Sequence, residues 1–568
     1  MLIPTLLLLG AAQAPAPDDL SHAATAGTIA WVQSTDHVEL LELGLEHPLV
    51  ARVLGHPLVR ADLKKKGQDP EAALRAIEAI VGESPLDLAT ALTSAGVGVG
   101  LLPADGDEQR PYVVARGREL DAMEDALETL IEAAAPFGGA GALPNDLRRR
   151  LGPKVTDAWR IGKDGAAAAL TLGGILYVAR SVDDLVEVTG GVGRAIDLRE
   201  SRRATGLASG TFAWLDLAAL EARGDLDDLR KAATDPGMHF VFGPVLTYAC
   251  TARSLGMAMR IDETGVEVRS RAVGPDVGPG AVTFPTPNEP GPPLPVRSRS
   301  EVARAVVHRD VATLLAERTE LFSPRKQPGL AEGLANFALL VGGADAVDEL
   351  FGSFEPRMLF LAETIPFPKE AMPDVALPAA CWVARVQDPA VNGPRVTAAF
   401  QSLIALTNVQ RAQNGEPGLV LGLELVEGRT MTIANLPPPP AEETVDLSYN
   451  LAPGCAIVDD AVVLGTHHEL VRRVAQRLAR ERTAPDRARL VDVLRVKTSA
   501  LRDLIVDNRD LIVMQSVLNE GKTESRASLE VDLLLDIVSA VDTIEFATTG
   551  GPDENGVLEA TLRVDRTR

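Results

Sequence analysis

The residues best suited to chemistry stand together in Gly-Thr-His-His-Glu-Leu-Val, 465–471. Two imidazoles beside a carboxylate invite comparison with His-Glu-x-x-His, where histidines one helical turn apart hold zinc and the glutamate acts as a base. From His468 the run is His-Glu-Leu-Val-Arg. The second ligand position therefore holds Arg472, and a cation there repels a metal. A capping box accounts for every residue instead: Thr466 caps a helix, Glu469 returns the bond, and His467 and His468 occupy the exposed first turn. A second box of this form, Ser181-x-x-Asp184, carries no histidine. The upstream pair Asp459-Asp460 reads as a hairpin turn.

Other constellations lead no further. Gly96-x-Gly98-x-Gly100 and Gly191-x-Gly193 lack the third glycine and the strand-turn-helix setting of a dinucleotide loop. The chain has no Gly-Lys-Ser/Thr phosphate loop and no Gly-x-Ser-x-Gly elbow. Pro-Asp-Glu-Asn-Gly, 552–556, lacks the ligand order of a calcium loop. With 79 acidic residues, close carboxylates arise by chance and nominate no acid/base pair. Cys250, Cys381 and Cys455 lie too far apart in sequence for a zinc knuckle, and each sits among apolar neighbours, where a thiol behaves as a small hydrophobe. A bridge between one pair stays open. No catalytic, cofactor-binding or metal residue is assigned, and no cofactor is expected.

The charge balance excludes one class of partner. Acidic residues outnumber the 56 basic ones and leave a formal charge of −23, a field that repels nucleic acid and anionic headgroups. The basic runs Lys64–Lys66 and Arg148–Arg150 decorate helix ends. Aromatics are 4% of the chain, too few for a ring-lined stacking surface. Leu6–Leu9 followed by Ala12-Gln13-Ala14 has the form of a signal peptide over residues 1–14, so a periplasmic or secreted protein cleaved near Ala14 is expected. No later stretch reaches the ~18 apolar residues of a membrane span. The nearest approach, Ala166–Ala179, is uncharged for 14 residues but broken at Gly173-Gly174, a turn between two buried strands.

The elements that would position a site repeat along the chain. Gly27-Thr-Ile-Ala-Trp31 and Gly210-Thr-Phe-Ala-Trp214 each mark a strand running into a helix, with Trp31 and Trp214 as core anchors. Ile29–Glu42 aligns without gaps to Ala303–Ala316, pairing Asp36 with Asp310 as helix N-caps and Leu40-Leu41 with Leu314-Leu315. Strand, loop, strand and helix follow in both places. Leu120, Met123, Leu127, Leu130, Ile131 and Ala134 keep helical spacing until Pro136 and Gly138-Gly139 end it. Hairpin-plus-helix units follow around Ser181 and Thr466, and closing hairpins turn at Asp262–Gly265 and Asp553–Gly556. The proline-rich stretch 283–300 separates the two series as a stiff spacer.

These patterns predict an α+β protein of two tandem similar halves, each a mainly antiparallel sheet with helices packed on one face. The expected boundaries are 20–275, a linker over 276–299, and 300–568. Ala-Trp-Val-Gln-Ser-Thr-Asp-His-Val-Glu-Leu-Leu-Glu, Phe-Ala-Trp-Leu-Asp-Leu-Ala-Ala-Leu-Glu-Ala and Gly-Gly-Ile-Leu-Tyr-Val-Ala-Arg-Ser-Val-Asp-Asp-Leu-Val resemble the openings of a group of exported bacterial proteins known only as a domain of unknown function. That resemblance implies export and fold and carries no activity. The functional expectation is an exported, non-catalytic binding or scaffold protein whose partner is an unknown protein or a small apolar ligand. The alternatives are a carrier for a lipid or other apolar ligand, which requires a dry cavity of several hundred Å³, and a hydrolase without a recognisable motif.

Overall fold

A computed structural model describes residues 20–35, 53, 55–65, 75, 78–103, 109–134, 140–161, 166–171, 174–190, 195–207, 210–262, 264–274, 295–367, 373, 375, 377–437, 448–480, 490–549 and 557–566. Outside them lie the expected signal segment 1–14, the expected Asp36 cap with Leu40-Leu41, Pro136 with Gly138-Gly139, Gly191-x-Gly193, most of the expected linker 276–299, and the expected Asp553–Gly556 turn.

Two compact units emerge, one of residues 1–226 with 252–275 and one of 227–251 with 276–568. In the first, ten strands are described: β1 (Ala30–Ser34), β2 (Gly96–Leu102), β3 (Arg110–Arg116), β4 (Ala140–Ala142), β5 (Val155–Ile161), β6 (Ala166–Thr171), β7 (Leu176–Ala179), β8 (Thr211–Asp216), β9 (Ser254–Asp262) and β10 (Gly265–Val273). They pair in the order β4-β5-β6-β7-β3-β2-β1-β8-β9-β10, antiparallel throughout. The second unit contributes β11 (Glu301–His308), β12 (Phe354–Glu363), β13 (Ala379–Val386), β14 (Val420–Val426), β15 (Arg429–Asn435), β16 (Gly454–Val458), β17 (Ala461–Gly465), β18 (Leu490–Lys497), β19 (Val541–Thr549) and β20 (Val557–Arg566). Their order is β14-β15-β16-β17-β13-β12-β11-β18-β19-β20, again antiparallel. It is the first unit's order with every strand number raised by ten. The α+β class is the observed one.

Helices cover both faces of each sheet, where the sequence pattern points to one. In the first unit Leu185, Val188 and Leu198, from helices Val182–Gly190 and Ala195–Ala204, join Trp31, Tyr112, Phe212 and Trp214. Met123 and Leu127 of helix Leu120–Ala134 join Ala115, Ala168 and Leu176 on the opposite face. In the second, helix His468–Arg480 places Leu470, Val471 and Val474 on Leu361, Cys381 and Val463. Helix Pro389–Gln413 places Val396, Phe400 and Ile404 against Cys455 and Val462 on the reverse. The central strands explain this: β6 (AAAALT) and β16 (GCAIV) are apolar at successive positions, and a strand buried on both faces needs a layer on each.

Several local expectations correspond to observed geometry. Gly174, at φ +67°, closes the β6–β7 turn by donating its amide to Thr171 O. Asp262 accepts from Thr264 N at 2.9 Å between β9 and β10. Asp459, at φ +57°, turns β16 into β17. Asp310 caps its helix, accepting from Thr313 N at 3.0 Å, and Ser181 accepts from Asp184 N at 3.0 Å. Asp184 and Glu187 then receive Arg110 at 2.7 and 2.6 Å.

Residues 227–251 group with the second unit rather than with the span 20–275. Arg309 secures them. Its guanidinium donates to both Asp492 carboxylate oxygens at 2.9 Å and to the carbonyls of Phe240 and Val241 in helix Pro236–Thr251. The side chain is fully buried, and its fork geometry satisfies these four acceptors and the His308 carbonyl at once.

Candidate functional site

The site begins with a cross-strand row on one face of the second sheet. Register places Leu494, Ala305, Phe360, Trp382 and Leu464 side by side across β18, β11, β12, β13 and β17. A parallel row holds Ala303, Ala362 and Ala380. Alternation sends all of these side chains to the same face. Above them runs helix Pro389–Gln413. Its apolar stripe, Val396, Phe400, Leu403, Ile404 and Thr407, follows three- and four-residue spacing. Asn408 fixes its C-terminal part: Nδ2 donates to Leu419 O at 2.9 Å and Oδ1 accepts from Leu419 N at 2.6 Å.

Because the second row is alanine, the floor does not fill the space beneath the helix. A cavity of about 630 Å³ results, open to solvent and walled also by Leu451 and Pro453. Among the described residues no charged side chain lines it. Its two hydroxyls are already engaged, Thr407 donating to Leu403 O at 2.9 Å and Thr466 accepting from Ala380 N at 3.0 Å. A second apolar cavity of about 300 Å³, bounded by Phe240 and Phe351, shares Phe360 and Trp382 with the first. Such surroundings offer dispersion and water exclusion to a hydrocarbon.

The Thr466–Glu469 segment borders this cavity, and its geometry differs from the expected box. Thr466 turns back to β13, and the acceptor for Glu469 N is His467 Nδ1 at 3.2 Å. Glu469 receives Arg472 and, at 3.0 Å, Arg473, so it returns no bond to the cap. His467 and His468 are half-buried and stacked, centroids 4.9 Å apart, with Phe367 edge-on to His467. Burial, then the neighbouring His468 and Arg472, push His467 down to about 4, and burial and Arg472 also lower His468. Both rings are held neutral by what surrounds them. Among the described residues no group of three or more His, Cys, Asp or Glu side chains is placed to hold a metal ion.

The cysteines stay apart. Cys381 and Cys455 are buried, and no pair among the three is bridged. Cys381 packs under helix His468–Arg480 and Cys455 under helix Pro389–Gln413, so the sheet itself separates them. Burial pushes both thiols up to about 12, far from the range of a nucleophile.

Gly96, Gly98 and Gly100 lie on strand β2, not on a loop, and two of them are spaces for rings. A Cβ on Gly98 would come within 2.6 Å of the Trp31 indole, and one on Gly100 within 2.1 Å of the Tyr112 ring. The sequence pattern required a cavity only for the carrier alternative and did not locate it. Its signal is the small residues Ala303, Ala305, Ala362 and Ala380, which converge only once the strands are in register.

No family model matches the chain, and no curated protein matches it. Among solved structures it is similar to TP0453 in crystal form I, with 10% identity over 45% of this chain and 79% of that one, at a TM-score of 0.23.

Proposed function

We propose that this is an exported binding protein that carries a lipid or another hydrocarbon-rich ligand in the cavity of its second unit. The observation that carries the reading is the apolar volume of about 630 Å³ between the alanine-rich floor and helix Pro389–Gln413. Pockets of ~300–1,000 Å³ hold small ligands, and burial of hydrocarbon there contributes roughly 25 cal/mol per Å² removed from water. The uncharged lining favours a carrier over a hydrolase, since its one thiol, Cys381, is kept protonated by burial and its two hydroxyls are engaged by the backbone. The common strand order of the two units supports their origin by duplication.

The test is displacement of a fluorescent fatty acid from the purified chain, together with native mass spectrometry for retained lipid. Leu403 stands at the cavity mouth and is half exposed, so Leu403→Trp plugs the opening without entering the core. Saturable binding of the probe, weakened about tenfold or more by Leu403→Trp, is the expected result. No binding by the intact chain, or equal binding by the variant, overturns the proposal. Recovery of the chain from the cytosol with residues 1–14 attached would remove export.

A further inference from the structure

Strand β14 ends the second sheet: among the described strands it pairs only with β15. Its sequence is Val-Leu-Gly-Leu-Glu-Leu-Val, seven residues long. Leu421, Leu423 and Leu425 project from one face and remain 44%, 71% and 75% exposed. An open edge with an apolar row beside it is a template for another strand, and edges are ordinarily blunted by shortness or charge. The first unit does so. The strand in the same place in its order, β4, is three residues of alanine and glycine.

We infer that β14 is a homodimer interface, pairing antiparallel with β14 of a second copy of this chain. The strand is self-complementary about Leu423. A two-fold axis there places Leu423 against itself, Leu421 against Leu425, Val420 against Val426, and Gly422 against Glu424. All three exposed leucines of each copy then cover those of the other, as an isologous contact requires. No like charges meet, because Glu424 faces a glycine and is already paired with Arg472 at 2.8 Å. The contact is small, and a concentration-dependent, transient dimer is the form it takes.

The full chain is examined by light scattering and sedimentation over a range of concentrations. The mass rises toward that of two chains, and Leu423→Lys, which sets two ammonium groups face to face, shifts the equilibrium about tenfold or more toward monomer with an unchanged melting temperature. Leu423→Cys oxidises to a cross-linked dimer. Leu421→Cys alone does not, since the two positions sit roughly 13 Å apart, but a mixture of Leu421→Cys with Leu425→Cys does. A single-chain mass at every concentration overturns the inference, as does a dimer indifferent to Leu423→Lys or cross-linked equally by Leu421→Cys alone. Phosphatidylglycerol vesicles captured by the monomer and released by Leu423→Lys assign the leucines to a lipid surface and overturn it too.

Discussion

Trp31 and Trp214 lie directly opposite each other on neighbouring antiparallel strands, β1 and β8, both buried. The twice-written Gly-Thr-x-Ala-Trp is therefore one cross-strand pair and not two separate anchors. Trp31 Nε1 donates to Gln33 Oε1 at 2.9 Å, and its ring tilts against Tyr112 at 6.0 Å. Tyr112 in turn reaches Thr28 Oγ1 at 2.7 Å, and burial, offset in part by that bond, pushes its phenol up to about 12. Rings on β1 and β3 thus occupy the space over the intervening strand, which explains its glycines.

Gly98→Ala and Gly100→Ala drive a methyl into those rings, and overpacking of this kind costs about 1–3 kcal/mol. Denaturant midpoints should fall for both. Gly141→Ala, where nothing lies within 4 Å of the added carbon, should leave the midpoint nearly unchanged. Equal midpoints for all three would refute the ring-over-glycine account.

Acid should weaken the fold through His467. Above the ordinary imidazole value of 6.5 the ring is neutral whether folded or unfolded. Between there and about 4 the unfolded chain takes a proton that the folded chain refuses, so stability declines as pH falls through that window and levels off below it. The loss is at most about 3 kcal/mol, reduced by the solvent reaching a half-buried ring. His467→Asn keeps a side-chain acceptor for Glu469 N and removes the titration. Its stability should vary less with pH than that of the parent over the same interval, and an unchanged slope would sink the assignment.

Removing the Asp492 carboxylate leaves the buried Arg309 charge uncompensated, and Asp492→Ala should cost about 3–5 kcal/mol by chemical denaturation. Replacing both residues by Met and Leu should recover much of that loss. Arg309→Lys keeps the charge and loses the fork to Asp492 and the two helix carbonyls, so it too should destabilise. A cost under about 1 kcal/mol for Asp492→Ala would show that the knot contributes little.

Cys381 and Cys455 should resist thiol reagents in the folded chain at neutral pH, since burial keeps them protonated and out of reach. Both should label once denaturant is added. Rapid modification of either before unfolding, followed by mass spectrometry of peptides, would contradict their placement.

Much of the local structure was legible because neighbouring residues cause it. Asp310 and Ser181 cap helices through amides three positions on, and Gly174 and Asp262 make turns by their own conformational preferences and short hydrogen bonds. Helix Leu120–Ala134 follows from apolar spacing alone. The cap at Glu469 was misread because histidine Nδ1 and threonine Oγ are both competent acceptors at that turn. Only the pull of Ala380 on Thr466 decides between them.

What only the tertiary structure decided is which face each side chain joins. The gapless alignment sets Trp31 beside Ala305, yet Ala305 lies under helix Pro389–Gln413 while its neighbour Arg304 shares the face of Trp31. Trp31 stands between Gly100 and Trp214, as Arg304 does between Leu361 and Arg495, on the face covered by helix Val182–Gly190 or His468–Arg480. A slip of one residue reverses a strand's faces, and where both faces are apolar the sequence contains nothing to forbid it. The cavity, the alliance of 227–251 with the second unit and the exposed leucines of β14 all depend on that choice. The sequence by itself determined which segments become strands, helices and turns, since those answer to neighbours a few residues away. Partners hundreds of positions distant answer only to packing.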